Sequence, residues 1–475
     1  MRASYLCRSK PSELLANSLR MIAIPEHVFR AYDIRGLAEQ ELGGDFAYRL
    51  GRAYASLLPS NNQRPVVVCR DARLSGPALQ AQVVSGLTSA GTDVCDIGMG
   101  ATPQAYFAVH HWQAAGCIMI TGSHNPAEYN GFKFMRGLES LHGDDIQLLR
   151  RRMMEDPNDM PAIPGSSKEV DMVSEYSQFL LDDIKLQRPL KVVIDAGNGP
   201  AGAVAAPIYR DMGCEVIELY CEPDGNFPNH HPDPTIPSNM QDLIAAVIEH
   251  EADLGIGFDG DGDRIGVVDE RGSIVWGDML LLLLARRLLK THPGAVVISE
   301  VKCSQRMYDD IAAHGGRAIM WRTGHSPIKA KMKETHAMLA GEMSGHIFFA
   351  DRYFGFDDAI YAGARLMEAL ASGRIPLSQL FSDLPASVST PEIRLDCPDD
   401  YKFELVERAR KHFAGLGLDI IDVDGVRLRF DDGFGLLRAS NTQPGLVLRF
   451  EAGSETRLTE IRNLVEGWLK ENIHA

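Results

Sequence analysis

The chain has 475 residues, and 64 acidic against 48 basic side chains leave it a formal charge of −16 at neutral pH. That balance argues against a general nucleic-acid binder, which needs a cationic surface to displace counterions, but leaves anionic small substrates open. With 45% hydrophobic and 24% charged residues, the composition is globular, and the length suggests three or four units of ~100–150 residues.

Residues 1–20 carry Arg2, Arg8, Lys10 and Arg20 against only Glu13, without the apolar stretch of a secretory leader. We expect residues 1–24 to be a flexible extension, with Met21 as the functional beginning. The longest apolar run, residues 279–285, is far short of the ~20 residues that a membrane helix needs. The eight cysteines are scattered and form no C-x-x-C pair, which points to reduced thiols and a cytoplasmic setting.

One unit recurs along the chain. β-branched runs at 66–68, 192–194 and 296–298 each lead into a helical stretch, a glycine and a second strand. The second segments read Ala90-Gly91-Thr92-Asp93-Val94, Met212-Gly213-Cys214-Glu215-Val216 and His314-Gly315-Gly316-Arg317-Ala318. Glycine suits a helix C-terminus, and strand–helix–strand makes a parallel crossover. A further apolar strand follows in each copy, at 116–120, 254–258 and 337–340, and ends in a polar loop. In α/β sheets ligands gather beyond the carboxyl ends of strands. After residue 386 the pattern changes. Val426, Leu428 and Phe430 alternate with Arg427 and Arg429 as in a half-buried strand, residues 446–450 form another, and Leu458, Ile461, Leu464, Val465, Trp468 and Leu469 mark one face of a closing helix. The expectation is three related α/β units with mixed sheets, 25–169, 170–273 and 274–385, and a C-terminal α+β unit, 386–475.

The loops carry the chemistry. Asp259, Asp261 and Asp263 place three carboxylates within five residues, and a cation resolves their repulsion. Oxygen donors without His or Cys suit Mg²⁺. An EF-hand calcium loop is the rival, with Glu270 at its twelfth position, but Arg264 stands at the sixth where glycine is needed and the flanks look like strands. A metal-free acidic turn is the plain alternative. Ser123, in Thr121-Gly122-Ser123-His124-Asn125-Pro126, lacks the Gly-x-Ser-x-Gly frame of a hydrolase. Beside an acidic loop it reads as a phosphoryl acceptor, with Lys133 available to neutralise charge; a turn or capping serine is the alternative.

Glu342 and Ser344, in Gly341-Glu342-Met343-Ser344-Gly345-His346, offer acceptors for sugar hydroxyls. Arg438-Ala439-Ser440-Asn441-Thr442 sets a guanidinium, two hydroxyls and an amide on one phosphate-binding loop. His325 and His346 read as bases or phosphate donors, or as structural histidines; His110 and His111 read as surface. Gly197-Asn198-Gly199-Pro200-Ala201-Gly202 after a strand matches a dinucleotide fingerprint, with Glu215 or Glu218 as the ribose acid. An NAD-dependent oxidoreductase is therefore the alternative of another class, though a tight strand-to-helix turn explains the glycines more simply.

Taken in order, the four loops at 121–126, 259–264, 341–346 and 438–442 resemble the α-D-phosphohexomutase superfamily, in particular its bacterial phosphomannomutase/phosphoglucomutase branch. The resemblance runs from about Phe29 to the C-terminus. It implies four domains around a central cleft and reversible transfer of phosphate between O1 and O6 of mannose and glucose phosphates, through a phosphoserine at Ser123 and a hexose 1,6-bisphosphate intermediate and activator. It implies that Asp259, Asp261, Asp263 and a phosphoryl oxygen on Ser123 hold Mg²⁺. Glu342 and Ser344 would hold the sugar, and Arg438, Ser440, Asn441 and Thr442 the distal phosphate. Tyr32 and Arg35, in Arg30-Ala31-Tyr32-Asp33-Ile34-Arg35-Gly36, match a motif that reaches the cleft. His124, Lys133, Arg264, Lys302, Gly324, His325 and His346 match further cleft positions, with Lys133, His325 and His346 as candidates to move the hydroxyl proton. Met343 resembles the mannose/glucose version of its loop, whereas a phosphoglucosamine mutase would carry Gln there. The expected setting is cytoplasmic nucleotide-sugar synthesis by a monomer or dimer without nucleic-acid or membrane partners.

Overall fold

The structure is a computed structural model that describes residues 24–59, 62–155, 163–440 and 444–473; of the extension expected over residues 1–24, all but Ile24 lies outside them. Four sheets follow one another along the chain, and the first three repeat one pattern. In each, three parallel strands are ordered third–first–second, and an antiparallel strand returns beside the third. The first sheet sets Gly116–Ile120, Val66–Arg70 and Val94–Met99 side by side, with Tyr129–Arg136 as the return. The second uses Leu254–Phe258, Lys191–Asp195 and Glu215–Leu219, returning through Ile265–Asp269. The third uses Leu339–Gly341, Val296–Glu300 and Arg317–Trp321, returning through Ile347–Phe349. The three chemical loops are thus the same hairpin of the repeat, the one joining the third parallel strand to its return.

The first and third parallel strands of the first two units are buried almost throughout, which is why they read as continuous apolar runs rather than alternating ones. Helices cover both faces. The helix Gly277–Thr291 buries Leu280 to Leu284 one after another, each worth ~1.5–3 kcal/mol. With Thr102–Trp112, Ala201–Asp211 and Ala359–Ala371 it forms a single apolar cluster that runs through all three units. That shared core fixes the three hairpins relative to one another.

The fourth sheet is antiparallel, ordered Val388–Ser389, Gly445–Ala452, Gly433–Ala439, Val426–Phe430 and Asp419–Ile421, with Ile393–Asp396 also beside Gly445–Ala452. The helices Lys402–Gly415 and Glu455–Asn472 pack on it, the latter through Leu458, Ile461, Val465 and Leu469. Two expectations are corrected here. The strand Val426–Phe430 is not simply half-buried. Arg427 is fully enclosed, donating to the carbonyls of Val301 and Cys303 and lying 3.6 Å from the centre of the Phe434 ring. The third unit covers the face that alternation assigns to water. His110 is not a surface residue either: it is half-buried and stacks on Phe354 at 5.0 Å, and burial first, then the nearby Lys329 charge, lowers its pKa to about 4. The seven described cysteines are buried and unbridged. Among the described residues, no helix is long and apolar enough to cross a membrane.

Candidate active site

The hairpin of the first unit places Ser123 in a left-handed backbone conformation, φ +49°. The Ser123 amide donates to Thr121 Oγ1 at 2.7 Å, and that hydroxyl donates to Asp71 Oδ2 at 2.7 Å. Turned this way, Ser123 Oγ lies 3.0 Å from Asp259 Oδ2 on the second unit's hairpin and 3.3 Å from His124 Nδ1. Arg35 reaches the same loop, donating to Asn125 Oδ1 at 3.0 Å and to Asp33 at 2.8 Å.

Asp259, Asp261 and Asp263 are fully enclosed, with carboxylate oxygens within 4.8 Å of one another. Asp259 Oδ1 accepts from the amides of Asp263 and Arg264, both at 3.1 Å, which tightens the loop around its first carboxylate. Lys133, from the return strand of the first unit, bridges Asp261 at 2.7 Å and Asp263 at 2.5 Å. Thr102 Oγ1 donates to Asp261 at 2.5 Å. Burial opposes the charge of Asp261, but Lys133 and Thr102 outweigh it and hold this carboxyl below the usual range. Burial, and then its two acidic neighbours, push Asp259 well above that range. Burial also opposes the charge on Lys133, yet the aspartates keep it raised and firmly protonated. Asp261 Oδ1 and Asp263 Oδ1 are buried without a hydrogen-bond partner. An oxygen-only trio, short of positive charge and with two open oxygens, is the donor set of a hard divalent cation.

The third hairpin closes on this pair. Arg264 Nε donates to His346 Nε2 at 3.0 Å. A guanidinium only donates, so Nε2 is the bare nitrogen and Nδ1 carries the hydrogen. Nδ1 faces Asp357 Oδ2 at 3.1 Å. Asp357 is also 3.0 Å from Lys329 and 3.7 Å from His325. Burial and the Lys329 charge keep His325 well below the ordinary histidine range. Glu342 Oε1 accepts from the Gly324 amide at 2.7 Å, and burial raises its pKa. Gly324 is indispensable in its place: its φ is +129°, and a Cβ would meet the Tyr32 ring at 2.7 Å. Tyr32 in turn donates to Thr323 O at 3.0 Å, tying the first unit to the third. Ser344 is half-buried beside Glu342.

The fourth unit joins through Asp424, which accepts from the Thr323 amide at 3.0 Å and from Arg438 Nε at 3.1 Å. Arg438 and Ser440 are buried; Asn441 and Thr442 lie outside the described residues. Lys302 Nζ pairs with Glu392 at 3.0 Å and feels the charges of Arg438 and Glu342. One network therefore connects the four units, from Ser123 through Asp259, Arg264 and His346, and from Tyr32 through Thr323 to Arg438. Sequence reasoning passed over Asp71, Arg73 and Asp357. None belongs to a motif, although Asp71 and Arg73 just past the carboxyl end of the first unit's strand Val66–Arg70 were a positional signal.

The Gly197–Gly202 turn is occupied by protein. Asn198 Nδ2 donates to Glu222 O at 2.9 Å, Pro232 lies against Gly197, and the would-be ribose acids Glu215 and Glu218 are paired with Lys191 and Arg210. It serves as a tight strand-to-helix turn.

Comparison with known proteins gives consistent matches along the chain. Residues 26–153, 170–272 and 276–388 match phosphoglucomutase/phosphomannomutase alpha/beta/alpha domains I, II and III, and residues 392–466 match the C-terminal domain. A phosphomannomutase/phosphoglucomutase of Pseudomonas aeruginosa is 47% identical over 447 residues, covering 94% of this chain and 96% of the relative. A phosphoglucomutase of Neisseria gonorrhoeae is 46% identical, covering 96% and 99%. A crystal structure of a phosphoglucomutase/phosphomannomutase family protein from Burkholderia thailandensis is 44% identical, with a TM-score of 0.88 over 94% of this chain and 98% of that one.

Proposed function

The chain belongs to the phosphoglucomutase/phosphomannomutase family, and from that premise we propose that it moves a phosphoryl group reversibly between O1 and O6 of mannose and glucose phosphates. The observation that carries this reading is Ser123 Oγ, 3.0 Å from Asp259 beside two unpartnered carboxylate oxygens. On this reading units 25–169, 170–273, 274–385 and 386–475 supply in turn the phosphoserine, metal, sugar and phosphate loops, in a cytoplasmic enzyme.

Asp259, Asp261, Asp263 and a phosphoryl oxygen on Ser123 would hold Mg²⁺. When bound, Mg²⁺ supplies positive charge against the transferring phosphoryl group. Phosphorylated Ser123 gives its phosphoryl group to the free hydroxyl of a hexose monophosphate. The bond from phosphorus to Ser123 Oγ breaks, with the electron pair staying on Oγ, as the bond to the sugar oxygen forms. The hydroxyl proton passes to His346 Nε2, taking the place of the hydrogen bond that this nitrogen accepts from Arg264 in the unliganded site, while Nδ1–H stays turned toward Asp357, and the imidazolium balances the charge left on Oγ. Lys133 is bound to two carboxylates and serves as a fixed cation beside Arg264 and Arg35 rather than as the base. His325, held neutral, and His124 serve as hydrogen-bonding partners.

The resulting hexose 1,6-bisphosphate turns end over end and returns its other phosphate to Ser123; added bisphosphate therefore activates unphosphorylated enzyme. Throughout, Arg438, Ser440, Asn441, Thr442 and Lys302 grip the phosphate that is not reacting, while Tyr32, Gly324, Glu342 and Ser344 line the sugar. Met343 favours mannose and glucose over glucosamine. The test is a coupled assay of 1-phosphate to 6-phosphate conversion with mannose, glucose and glucosamine phosphates side by side. Turnover of the first two with a weaker third is expected. Turnover of the glucosamine compound alone overturns the substrate assignment, and a change in nicotinamide absorbance without phosphate migration overturns the reaction.

A further inference from the structure

We propose that Arg73 is the positioning residue that sets Ser123 for phosphoryl transfer, an inference that rests on the reading of Ser123 as the phosphoryl carrier. Arg73 lies at the carboxyl end of the first unit's central strand and is fully enclosed. A guanidinium has five N–H donors in one plane, and the Arg73 contacts account for all five. Nε donates to Asp71 Oδ2 at 3.1 Å. Nη1 donates to the carbonyls of Pro126 at 2.5 Å and Tyr129 at 2.8 Å. Nη2 donates to the carbonyls of Ser123 at 2.8 Å and Asn125 at 2.6 Å. Four of the five bonds therefore end on the main chain of one loop, and one ends on Ser123 itself.

The arrangement has no slack. A Cβ on Gly122 would meet the guanidinium carbon at 2.5 Å, and the Phe227 ring, from the second unit, lies 5.2 Å from it on another side. Asp71 completes the grip from the amide side: it accepts from Arg73, from Thr121 Oγ1 and from the Gly122 amide, and Thr121 Oγ1 takes the Ser123 amide. Ser123 is thus fastened at both its N–H and its C=O. That matters because φ of +49° is unfavourable for a serine and persists only where the surroundings over-determine it. Released from Arg73, the loop relaxes toward ordinary backbone angles and Oγ leaves its place opposite Asp259. The proposed sugar and phosphate contacts sit on the third and fourth units and on Tyr32, none of them on the loop that Arg73 holds, so the loss falls on transfer and not on binding.

The test uses the full-length Arg73→Ala and Arg73→Lys enzymes. It follows phosphoserine formation from glucose 1,6-bisphosphate by intact mass, kcat and KM for glucose 1-phosphate, and rescue of Arg73→Ala by millimolar guanidinium chloride. Lysine keeps the charge but offers three donors from one atom and cannot serve five acceptors spread over a plane. The expected result is a fall of ~10²-fold in both kcat and the rate of phosphoserine formation in both variants, the order that a displacement of about 1 Å costs. KM is expected within twofold of wild type, and guanidinium should restore kcat of Arg73→Ala at least ~tenfold. A merely structural Arg73 would lower the folded fraction while leaving kcat per folded molecule intact, and guanidinium would not restore it. Arg73→Lys turning over within threefold of wild type overturns the proposal, as does a rise in KM with kcat unchanged. Should Arg73→Ala fail to fold, Arg73→Lys decides by the same kcat criterion. Wild-type enzyme that forms no phosphoserine overturns instead the functional reading beneath it.

Discussion

Asp261 and Asp358 are both enclosed carboxyls, yet their surroundings drive them in opposite directions. Asp261 is held charged by Lys133 and leaves one oxygen open. Asp261→Asn removes a charge from the proposed cation site, and we expect kcat to fall at least ~10²-fold, the size of a single electrostatic contribution to catalysis, measured at saturating Mg²⁺. Asp358 caps the helix Ala359–Ala371 through the Tyr361 amide and accepts from the hydroxyls of Tyr176 and Tyr353. Burial outweighs these bonds and raises its pKa to about 6. Between its ordinary value near ~4 and about 6, the folded protein holds a proton that the unfolded chain has lost, so stability falls as pH rises through that window. The loss is on the order of 3 kcal/mol. Asp358→Asn should be the flatter of the two in thermal midpoint between pH 4 and pH 7. At this scale sequence reading picked out the groups proposed to do the chemistry and passed over those that hold them. Asp259, Asp261 and Asp263 announce themselves by crowding, whereas Arg73 acts on carbonyls, and every loop has carbonyls.

The hairpins show why three such different loops fall in equivalent places. Each joins the third parallel strand to its antiparallel return, so a single repeated topology delivers a serine, a carboxylate trio and a glutamate to one region. The strand–helix–glycine–strand recurrence was legible because glycine and β-branched runs punctuate it. The burial of Arg427 was not, because alternation describes one strand against one core and contains nothing about a neighbouring unit that covers the other face. Gly324 belongs to the same scale: it opens the helix His325–Thr335 at an angle closed to other residues, and it hands its amide to Glu342. Gly324→Ala should cost ~1–3 kcal/mol in strain and displace the Tyr32 ring. The expected outcome is a lower thermal midpoint by calorimetry together with a raised KM, whereas an unchanged KM would separate Gly324 from substrate binding.

Across the whole molecule, the account requires that one serine and one distal clamp serve both halves of the reaction. Arg438→Ala removes a charge-assisted contact of ~1.5–3 kcal/mol, or ~10–150-fold in KM, and the increase should be similar for hexose 1-phosphate and hexose 6-phosphate. A large effect on one and none on the other would mean two separate phosphate sites. The order of the four loops along the chain made the proposed division of labour readable, while the links between units, such as Tyr32 to Thr323 and Thr323 to Asp424, join distant residues that no local pattern connects. The central claim is that Ser123 alone carries the phosphoryl group in turnover. Its most direct measurement is the intact mass of enzyme incubated with glucose 1,6-bisphosphate, followed by peptide mapping. The account predicts one added phosphate, on the peptide containing Ser123, and none on Ser123→Ala. Phosphate on any other residue, or full turnover by Ser123→Ala, would contradict it.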